Sequence, residues 1–442
     1  MQKISPIQPS QIVRSYYTIS GLYTLSASLI WGVNTLFLLA AGLNIFQVFM
    51  VNAVFSIGMA FFEIPTGVLA DARGRRLSFL LSTLVLAVGT LGYVLVARVP
   101  GNLLGLSLMS IVMGLGFTFY SGAVEAWLVD ALKAAGYEGS LDQVFARGGF
   151  ISGAAMLVGS IGGGILGDLN LSIPYLVRTV LLVLLFGLAY FTMHELGYQP
   201  KAVTFKAIPH EMKTIAQVSL QYGWRKPGLR LLMLMNLIQT GFLFWGFYAW
   251  PPYFLALLGR EAVWVSGVIA ALISLATMCG NVLVEWFSRY CTRRTTLMLW
   301  AAGVNALAII GIGLAGSFWL AVGLLLVAMV AFGLSTPVRQ AYLHALTPSE
   351  QRAAIVSFDA MIGNSGGILG QTGLGYLSQM TSIATGYVAG GLASVIVLPL
   401  LLRLRILSEP ADQIVGKAGK QSACAAQGIP AISNVDTIAS TD

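Results

Sequence analysis

Residues 63–76 read EIPTGVLADARGRR, and they lie where a long uncharged run gives way to a cluster of charges. The run before Glu63 extends back to residue 15, and Asp71 to Arg76 follow it closely. An uncharged apolar run of about 18 or more residues is long enough to cross a bilayer as a helix. The stretch therefore predicts the end of a membrane-spanning helix followed by a short, arginine-rich loop.

Long apolar runs recur along the whole chain. Only 10% of its 442 residues are charged and 57% are apolar, whereas soluble proteins carry about 25% charged residues. The runs predict an all-α membrane protein with 12 transmembrane helices. These spans lie near 16–41, 45–70, 77–97, 101–132, 146–168, 172–193, 230–257, 262–288, 295–314, 317–345, 353–379 and 383–404.

Lysine and arginine positions predict the orientation of the spans. Of the cations outside the spans, only Arg98 and Arg260 fall on one side, and all the others share the opposite side with both termini. Because cytoplasmic loops are enriched in lysine and arginine, we expect both termini to be cytoplasmic, in a multi-pass protein of the cell (inner) membrane.

The two halves of the chain echo each other. Trp31-Gly32 matches Trp245-Gly246, and EAWLVDAL (125–132) aligns with RQAYLHAL (339–346). Duplicated bundles of this kind underlie alternating access about a central site. The predicted domains are a six-helix bundle (1–193), a cytoplasmic linker (194–229), a second six-helix bundle (230–405) and a disordered cytoplasmic tail (406–442).

The loop after the second span carries the pattern G-x-x-x-D-x-x-G-R-R, formed by Gly67, Asp71, Gly74, Arg75 and Arg76. It resembles motif A of the major facilitator superfamily, and the resemblance covers about residues 15–405. It implies two pseudo-symmetric six-helix bundles and a cytoplasmic latch that stabilises the outward-facing state.

The same resemblance implies that Asp130, near the cytoplasmic end of span four, joins this latch by holding Arg75 or Arg76. The alternative for Asp130 is a solvated helix end. Asp359, near the start of span eleven, either strengthens the anionic end of the latch or pairs with Arg352.

The chain departs from the drug–proton antiporters of this family at two places. They often carry an arginine in span four, four residues before a glycine, and here Ser110 precedes Gly114. Their span five usually contains Gly-Pro, whereas GSIGGGILG (159–167) has no proline. This glycine run is equally consistent with close helix packing. A drug-efflux-like branch remains the expectation, and the two departures count against proton antiport but not against transport.

Ionisable residues inside spans are rare and usually functional. Glu125 and Arg339 occupy equivalent places in the repeat, so we expect them to face each other across the cavity. They form a gate, a proton-uptake site or a static buried pair. Glu63 shares a helical stripe with Gly67 and Asp71, which favours a structural contact over a proton path. Arg178 is expected to snorkel at the outer end of span six.

Aromatic residues are dense in span seven, where FLFWGFYAWPPYF covers 242–254. They are suited either to stacking on a flat substrate or to an interfacial aromatic belt. The predicted substrate cavity comprises Trp31, Asn34, Tyr120, Trp245, Tyr248, Gln340 and Tyr342.

The predicted function is proton-coupled efflux of small amphipathic or drug-like compounds. The alternative is an uncoupled or uptake transporter for a small metabolite. The chain has no HExxH motif and no P-loop, so neither an enzyme nor a cofactor is expected. Cys279, Cys291 and Cys424 lack metal-ligand spacing. The expected partners are the substrate, protons and the lipid bilayer, with no metal, no nucleic acid and a monomeric state.

Overall fold

The computed structural model of the chain describes residues 8–198, 223–260, 262–348 and 351–414. Ten helical segments among them are long and apolar enough to cross a membrane. The helices are α1 (Pro9–Ser28), α2 (Asn34–Ala40), α3 (Ile45–Arg73), α4 (Arg75–Val96), α5 (Leu103–Tyr120), α6 (Ala123–Ala134), α7 (Leu141–Leu169), α8 (Ile173–Thr192), α9 (Pro227–Leu258), α10 (Val263–Ser288), α11 (Arg294–Leu314), α12 (Phe318–Leu346), α13 (Arg352–Met380), α14 (Ile383–Val395) and α15 (Val397–Ile406).

These helices confirm the predicted all-α membrane fold. Three of the twelve spans are interrupted, so that α1 and α2, α5 and α6, and α14 and α15 each make one span. The break in the first span contains Trp31 and Gly32, and that in the fourth contains Ser121 and Gly122. Interrupted helices expose free backbone groups, which transporters use at their binding sites.

The internal repeat reappears in the packing of the helices. In the first half α1 packs on α7, α3 on α5, and α4 on both α5 and α8. In the second half the equivalent pairs are α9 with α13, α10 with α12, and α11 with both α12 and α14. The two halves are therefore two copies of one six-span arrangement.

Small residues allow the two halves to approach closely. Across the halves α3 packs on α13 and α7 on α10. A Cβ on Gly164 would lie 2.7 Å from the Cα of Gly267, and a Cβ on Gly267 would lie 2.4 Å from the Ser160 carbonyl oxygen. The structure therefore agrees with the close-packing interpretation of GSIGGGILG, because backbone atoms occupy the space that larger side chains need.

Two segment boundaries differ from the prediction. Helix α9 begins at Pro227 rather than near 230. The chain beyond 406 stays ordered as far as Ile414, whose N–H donates to the Thr292 carbonyl (3.0 Å), and Asp412 is buried. This part of the predicted tail is fixed because Asp412 binds the start of α11. Residues 199–222 of the linker and 415–442 of the tail lie outside the described residues.

Candidate functional site: the motif loop, the intramembrane charges and the central cavity

The motif loop turns at Gly74, where α3 ends and α4 begins. Gly74 has φ of 108°, a conformation that glycine adopts without strain. The Arg75 guanidinium pairs with Asp71 (2.6 Å). The backbone N–H groups of Arg75 and Arg76 both donate to the Glu195 carboxylate (3.0 Å each). A carboxylate here satisfies free N–H groups at the start of α4 and complements the helix dipole.

Further contacts hold the loop against the end of α8 and the chain beyond it. The Arg76 Nη2 donates to the Tyr190 carbonyl (2.7 Å), and the guanidinium lies 5.0 Å from the Tyr190 ring centre. The Tyr198 hydroxyl donates to the Asp71 carbonyl (2.7 Å). A Cβ on Gly67 would meet nothing within 4 Å. Each of these contacts lies within the first half of the chain.

The predicted contact between Asp130 and the motif arginines is wrong for this conformation. Asp130 is half-buried, and no cation among the described residues lies within ion-pair distance of it. The carboxylate bound to Arg75 and Arg76 is instead that of Glu195, which accepts from their backbone N–H groups because it follows α8 beside the start of α4. Sequence reasoning missed Glu195, since an acid just after a span resembles any solvated loop residue.

The fourth span breaks one turn before Glu125. Gly122 has φ of 70° and ends the break, which places Glu125 in the first turn of α6. A helix N-terminus favours a carboxylate at this position. The Ser121 hydroxyl donates to Glu63 (3.1 Å), so Glu63 of α3 also reaches the break. The Ser-Gly dipeptide at 121–122 is a turn signal that the sequence interpretation passed over.

The predicted pairing of Glu125 with Arg339 is wrong for this conformation. The Arg339 guanidinium binds Asp359 with both nitrogens, Nη1 to Oδ1 (3.1 Å) and Nη2 to Oδ2 (3.0 Å). Both side chains are buried, and the Asn236 amide also donates to the Asp359 carboxylate (3.3 Å). The bidentate pair forms because α12 and α13 belong to one half and need no conformational closure. It also replaces the predicted Asp359–Arg352 pairing.

A cavity of about 190 Å³ lies where the two halves meet. Predicted residues Trp31, Asn34 and Tyr248 line it. Helices α1 to α5 and α8 of the first half contribute with α9 of the second. The other lining residues are Tyr23, Ala27, Ile30, Asn52, Phe55, Leu86, Tyr93, Ser110, Met113, Phe117, Arg178 and Phe247.

Hydrogen bonds fix the polar part of the cavity wall. The Tyr175 hydroxyl donates to the Asn34 amide oxygen (2.8 Å), and the Asn34 amide nitrogen donates to Asn52 (3.0 Å). The hydroxyls of Tyr93 and Ser110 contact each other. These links orient polar groups inside an apolar bundle, where an unsatisfied polar group is costly.

Arg178 also lines this cavity, which contradicts the expected snorkelling. Its side chain is only 9% exposed, and its Nε has no hydrogen-bond acceptor. Arg178 lies one turn after Tyr175 on α8, so the helix directs both side chains to the same face. Sequence position near a span end does not distinguish a residue facing lipid headgroups from one facing the protein interior.

The remaining predicted cavity residues lie elsewhere. Tyr120 stacks on Tyr23 (ring centres 3.6 Å apart, planes within 9°), next to the cavity wall. Trp245 and Tyr342 are fully buried in the core of the second half and do not line the cavity. Their positions along the helix place them on the face that packs within the bundle. Gln340 is exposed on α12.

The two ends of the bundle differ in how the halves meet. We call the end that carries residues 71–76 the motif face. At the opposite face the Thr35 hydroxyl donates to the Tyr248 carbonyl (2.7 Å), and Val263 N donates to Asp168 (2.8 Å). The rings of Phe46 and Tyr376 also meet there (5.7 Å). The described contacts between halves thus close the cavity at the opposite face.

The described helices form two repeated six-span bundles, and the cavity lies where they meet. The family model of the Major Facilitator Superfamily matches residues 17–290 and 265–434. The chain belongs to this superfamily of transporters.

Similar proteins agree with this family at different distances. An uncharacterized MFS-type transporter, YxaM of Bacillus subtilis (strain 168), is 25% identical over 171 residues, which are 39% of this chain and 41% of YxaM. The crystal structure of the nucleoside transporter NupG has a TM-score of 0.75 at 12% identity, covering 89% of this chain and 99% of NupG. The POT family transporter PepTSo has a TM-score of 0.66 at 14% identity, covering 91% and 98%. At these identities the two structures show a shared fold.

Proposed function

We propose that this transporter exports a small organic compound in exchange for protons by alternating access. The observation that carries the proposal is the cavity between the halves, closed at the opposite face by contacts such as Thr35 to Tyr248. With the orientation predicted from lysines and arginines, the motif face is cytoplasmic. A cavity sealed on the outside loads from the cytoplasm, which supports export.

Proton coupling is proposed to involve the buried pair of Arg339 and Asp359. Separating the two would leave two buried charges without counter-charges, and neutralising one of them with a transported proton would remove part of that cost. Glu63 and Glu125, beside the break in the fourth span, are proposed as the groups through which protons pass. This moves the coupling pair from Glu125–Arg339 to Arg339–Asp359.

The motif loop is proposed to act as the latch of the outward-facing state. The described contacts of Arg75 and Arg76, with Asp71, Tyr190 and Glu195, lie within the first half. A Cβ built on Gly67 would meet no atom within 4 Å. This leaves room for a helix of the second half to approach. In the proposed cycle this approach closes the motif face while the opposite face opens.

Flux in proteoliposomes tests the proposal. A panel of labelled organic acids, amines and neutral aromatic compounds is followed with and without an imposed pH gradient. We expect at least one compound to be transported faster when the proton gradient drives protons in the opposite direction. We expect Asp359→Asn to abolish this dependence on the gradient. Flux that ignores the gradient contradicts proton coupling, and no flux of any compound contradicts the export proposal.

The size of the cavity favours a second candidate, uptake or facilitated transport of a small metabolite. About 190 Å³ lies below the roughly 300–1,000 Å³ typical of pockets for drug-sized ligands. The structurally similar NupG is a nucleoside transporter. The same liposomes separate the candidates. In right-side-out vesicles, proton-driven uptake predicts that an inward proton gradient makes the compound accumulate inside. Exchange for protons predicts accumulation with an outward gradient instead.

A further inference from the structure

Arg178 places a positive charge in the wall of the central cavity, and none of the described carboxylates is its partner. No carboxylate in the described ranges lies within ion-pair distance of its guanidinium, and the described lining of the cavity contains no acidic residue. A charged group inside a membrane protein is unfavourable unless an opposite charge or several hydrogen bonds compensate it. An anion that enters the cavity would supply the counter-charge that the described residues do not.

The rest of the wall defines the shape of that anion. Trp31 of the first half and Phe247 of the second meet edge to face, with ring centres 6.1 Å apart. Tyr248 extends this aromatic surface. Flat aromatic walls bind a ring by stacking or edge contacts, while a guanidinium binds a carboxylate or phosphate through two parallel hydrogen bonds.

We propose that the cavity binds a small aromatic anion, a carboxylate or a phosphate monoester, with Arg178 holding its anionic group. The proposal rests on the proposed transport function and specifies its substrate class. It disfavours a cationic compound, because the described wall offers a guanidinium and no carboxylate. Ser110, which stands where related antiporters often carry an arginine, lines the same cavity, so α8 rather than α5 supplies the cation.

Ligand-induced stabilisation of the purified full chain in detergent tests the proposal without requiring transport. The probes are benzoate, phenyl phosphate and neutral benzamide, each titrated while the thermal unfolding midpoint is recorded. We expect benzoate or phenyl phosphate to raise the midpoint in a saturable way, and benzamide to have little effect. If neither anion raises it, or if benzamide raises it equally, the proposal is overturned.

Variants identify the group responsible. Arg178→Gln is expected to weaken binding of the active anion by about tenfold to a hundredfold, because a charged, bidentate contact is lost. The matched control, Arg289→Gln, alters an exposed arginine (68% exposed) and should bind as the wild type does. Unchanged binding by Arg178→Gln overturns the proposal.

The ligand-free midpoint separates a binding role from a structural one. Without ligand, Arg178→Gln should unfold at the same temperature as the wild type or higher, since an uncompensated buried charge is removed. A markedly lower midpoint would instead mean that Arg178 supports the fold. If Arg178→Gln does not fold, Arg178→Lys decides: weaker anion binding at an unchanged midpoint agrees with the proposal, and unchanged binding overturns it.

The outcome is independent of the transport assay. Anion binding that depends on Arg178, without flux in liposomes, would uphold this inference and contradict the proposed transport. Flux of a neutral or cationic compound that Arg178→Gln leaves unchanged would uphold the proposed transport and contradict this inference.

Discussion

At the scale of single residues, the position of an intramembrane charge mattered less than what surrounds it. Arg339 and Arg178 both interrupt apolar spans, yet Arg339 has a bidentate carboxylate partner and Arg178 has none among the described residues. A buried pair is compatible with a stable resting structure, whereas an unpaired buried charge indicates a ligand. The two arginines therefore have different proposed roles.

Removing one member of the buried pair should destabilise the protein strongly. Asp359→Ala leaves Arg339 buried without a counter-charge, at an expected loss of about 3–5 kcal/mol, measured as a lower thermal unfolding midpoint in detergent. Glu285→Ala breaks the exposed pair with Arg289 and should cost about 0.5 kcal/mol or less. Equal losses for the two variants would contradict burial as the cause.

At the scale of elements, an acid that follows the sixth span of each half caps the third span. Glu195 accepts from the N–H groups at the start of α4, and Asp412 accepts from Thr295 N and Oγ1 (2.8 Å each) at the start of α11. The sequence repeat did not reveal this device, because the two acids lie in segments predicted as linker and tail. It shows that the repeat extends beyond the membrane spans.

Replacing the capping acid should loosen the motif loop. Glu195→Ala removes the acceptor for two N–H groups. We expect the free energy of unfolding to fall by about 1–2 kcal/mol. Amide hydrogen exchange at Arg75 and Arg76 should accelerate while the rest of α4 stays protected. The control is Glu138→Ala, at an exposed glutamate, and faster exchange there as well would argue against a specific cap.

The break in the fourth span depends on a glycine conformation. Gly122→Ala puts a side chain at φ of 70°. A Cβ there meets no atom within 4 Å, so backbone strain is the only expected cost. We expect the free energy of unfolding to fall by about 1 kcal/mol. Gly162 lies in the middle of α7 with equally open space around a Cβ. Gly162→Ala should therefore raise the free energy of unfolding by about 0.5–1 kcal/mol. Thermal unfolding of both variants measures the contrast, and the same sign for both would refute it.

At the scale of the whole molecule, transport by alternating access requires the opposite face to open. The rings of Phe46 on α3 and Tyr376 on α13 meet there across the two halves. Thr35 and Asp168 add hydrogen bonds to α9 and to the start of α10. In the proposed cycle these contacts separate each time the opposite face opens.

Bridging these contacts should stop transport. Cysteines at 46 and 376, in a background with the native cysteines replaced, are joined by a short bifunctional thiol reagent, and flux in proteoliposomes is expected to fall to background. Cleavage of the bridge by reductant should restore it. A control pair at 282 and 286, one turn apart on α10, should keep its flux when bridged. Undiminished flux with the 46–376 bridge would contradict alternating access.

Composition and order along the chain were enough to predict the membrane class, the two halves and the motif loop. Uncharged length, arginine placement and the G-x-x-x-D-x-x-G-R-R pattern are local properties, and they need no knowledge of neighbours in space. Trp31, Asn34 and Tyr248, three of the residues predicted for the substrate cavity, line the cavity between the halves.

Only the tertiary structure decided which charges meet and which aromatic residues face the cavity. Pairing of Arg339 with Asp359, capping by Glu195 and exposure of Arg178 to the cavity depend on the rotation of each helix about its axis. In a bundle embedded in lipid, nearly every face of a helix is apolar, so hydrophobic periodicity does not fix that rotation. Close packing between small residues fixes it instead, and that packing exists only in the folded molecule.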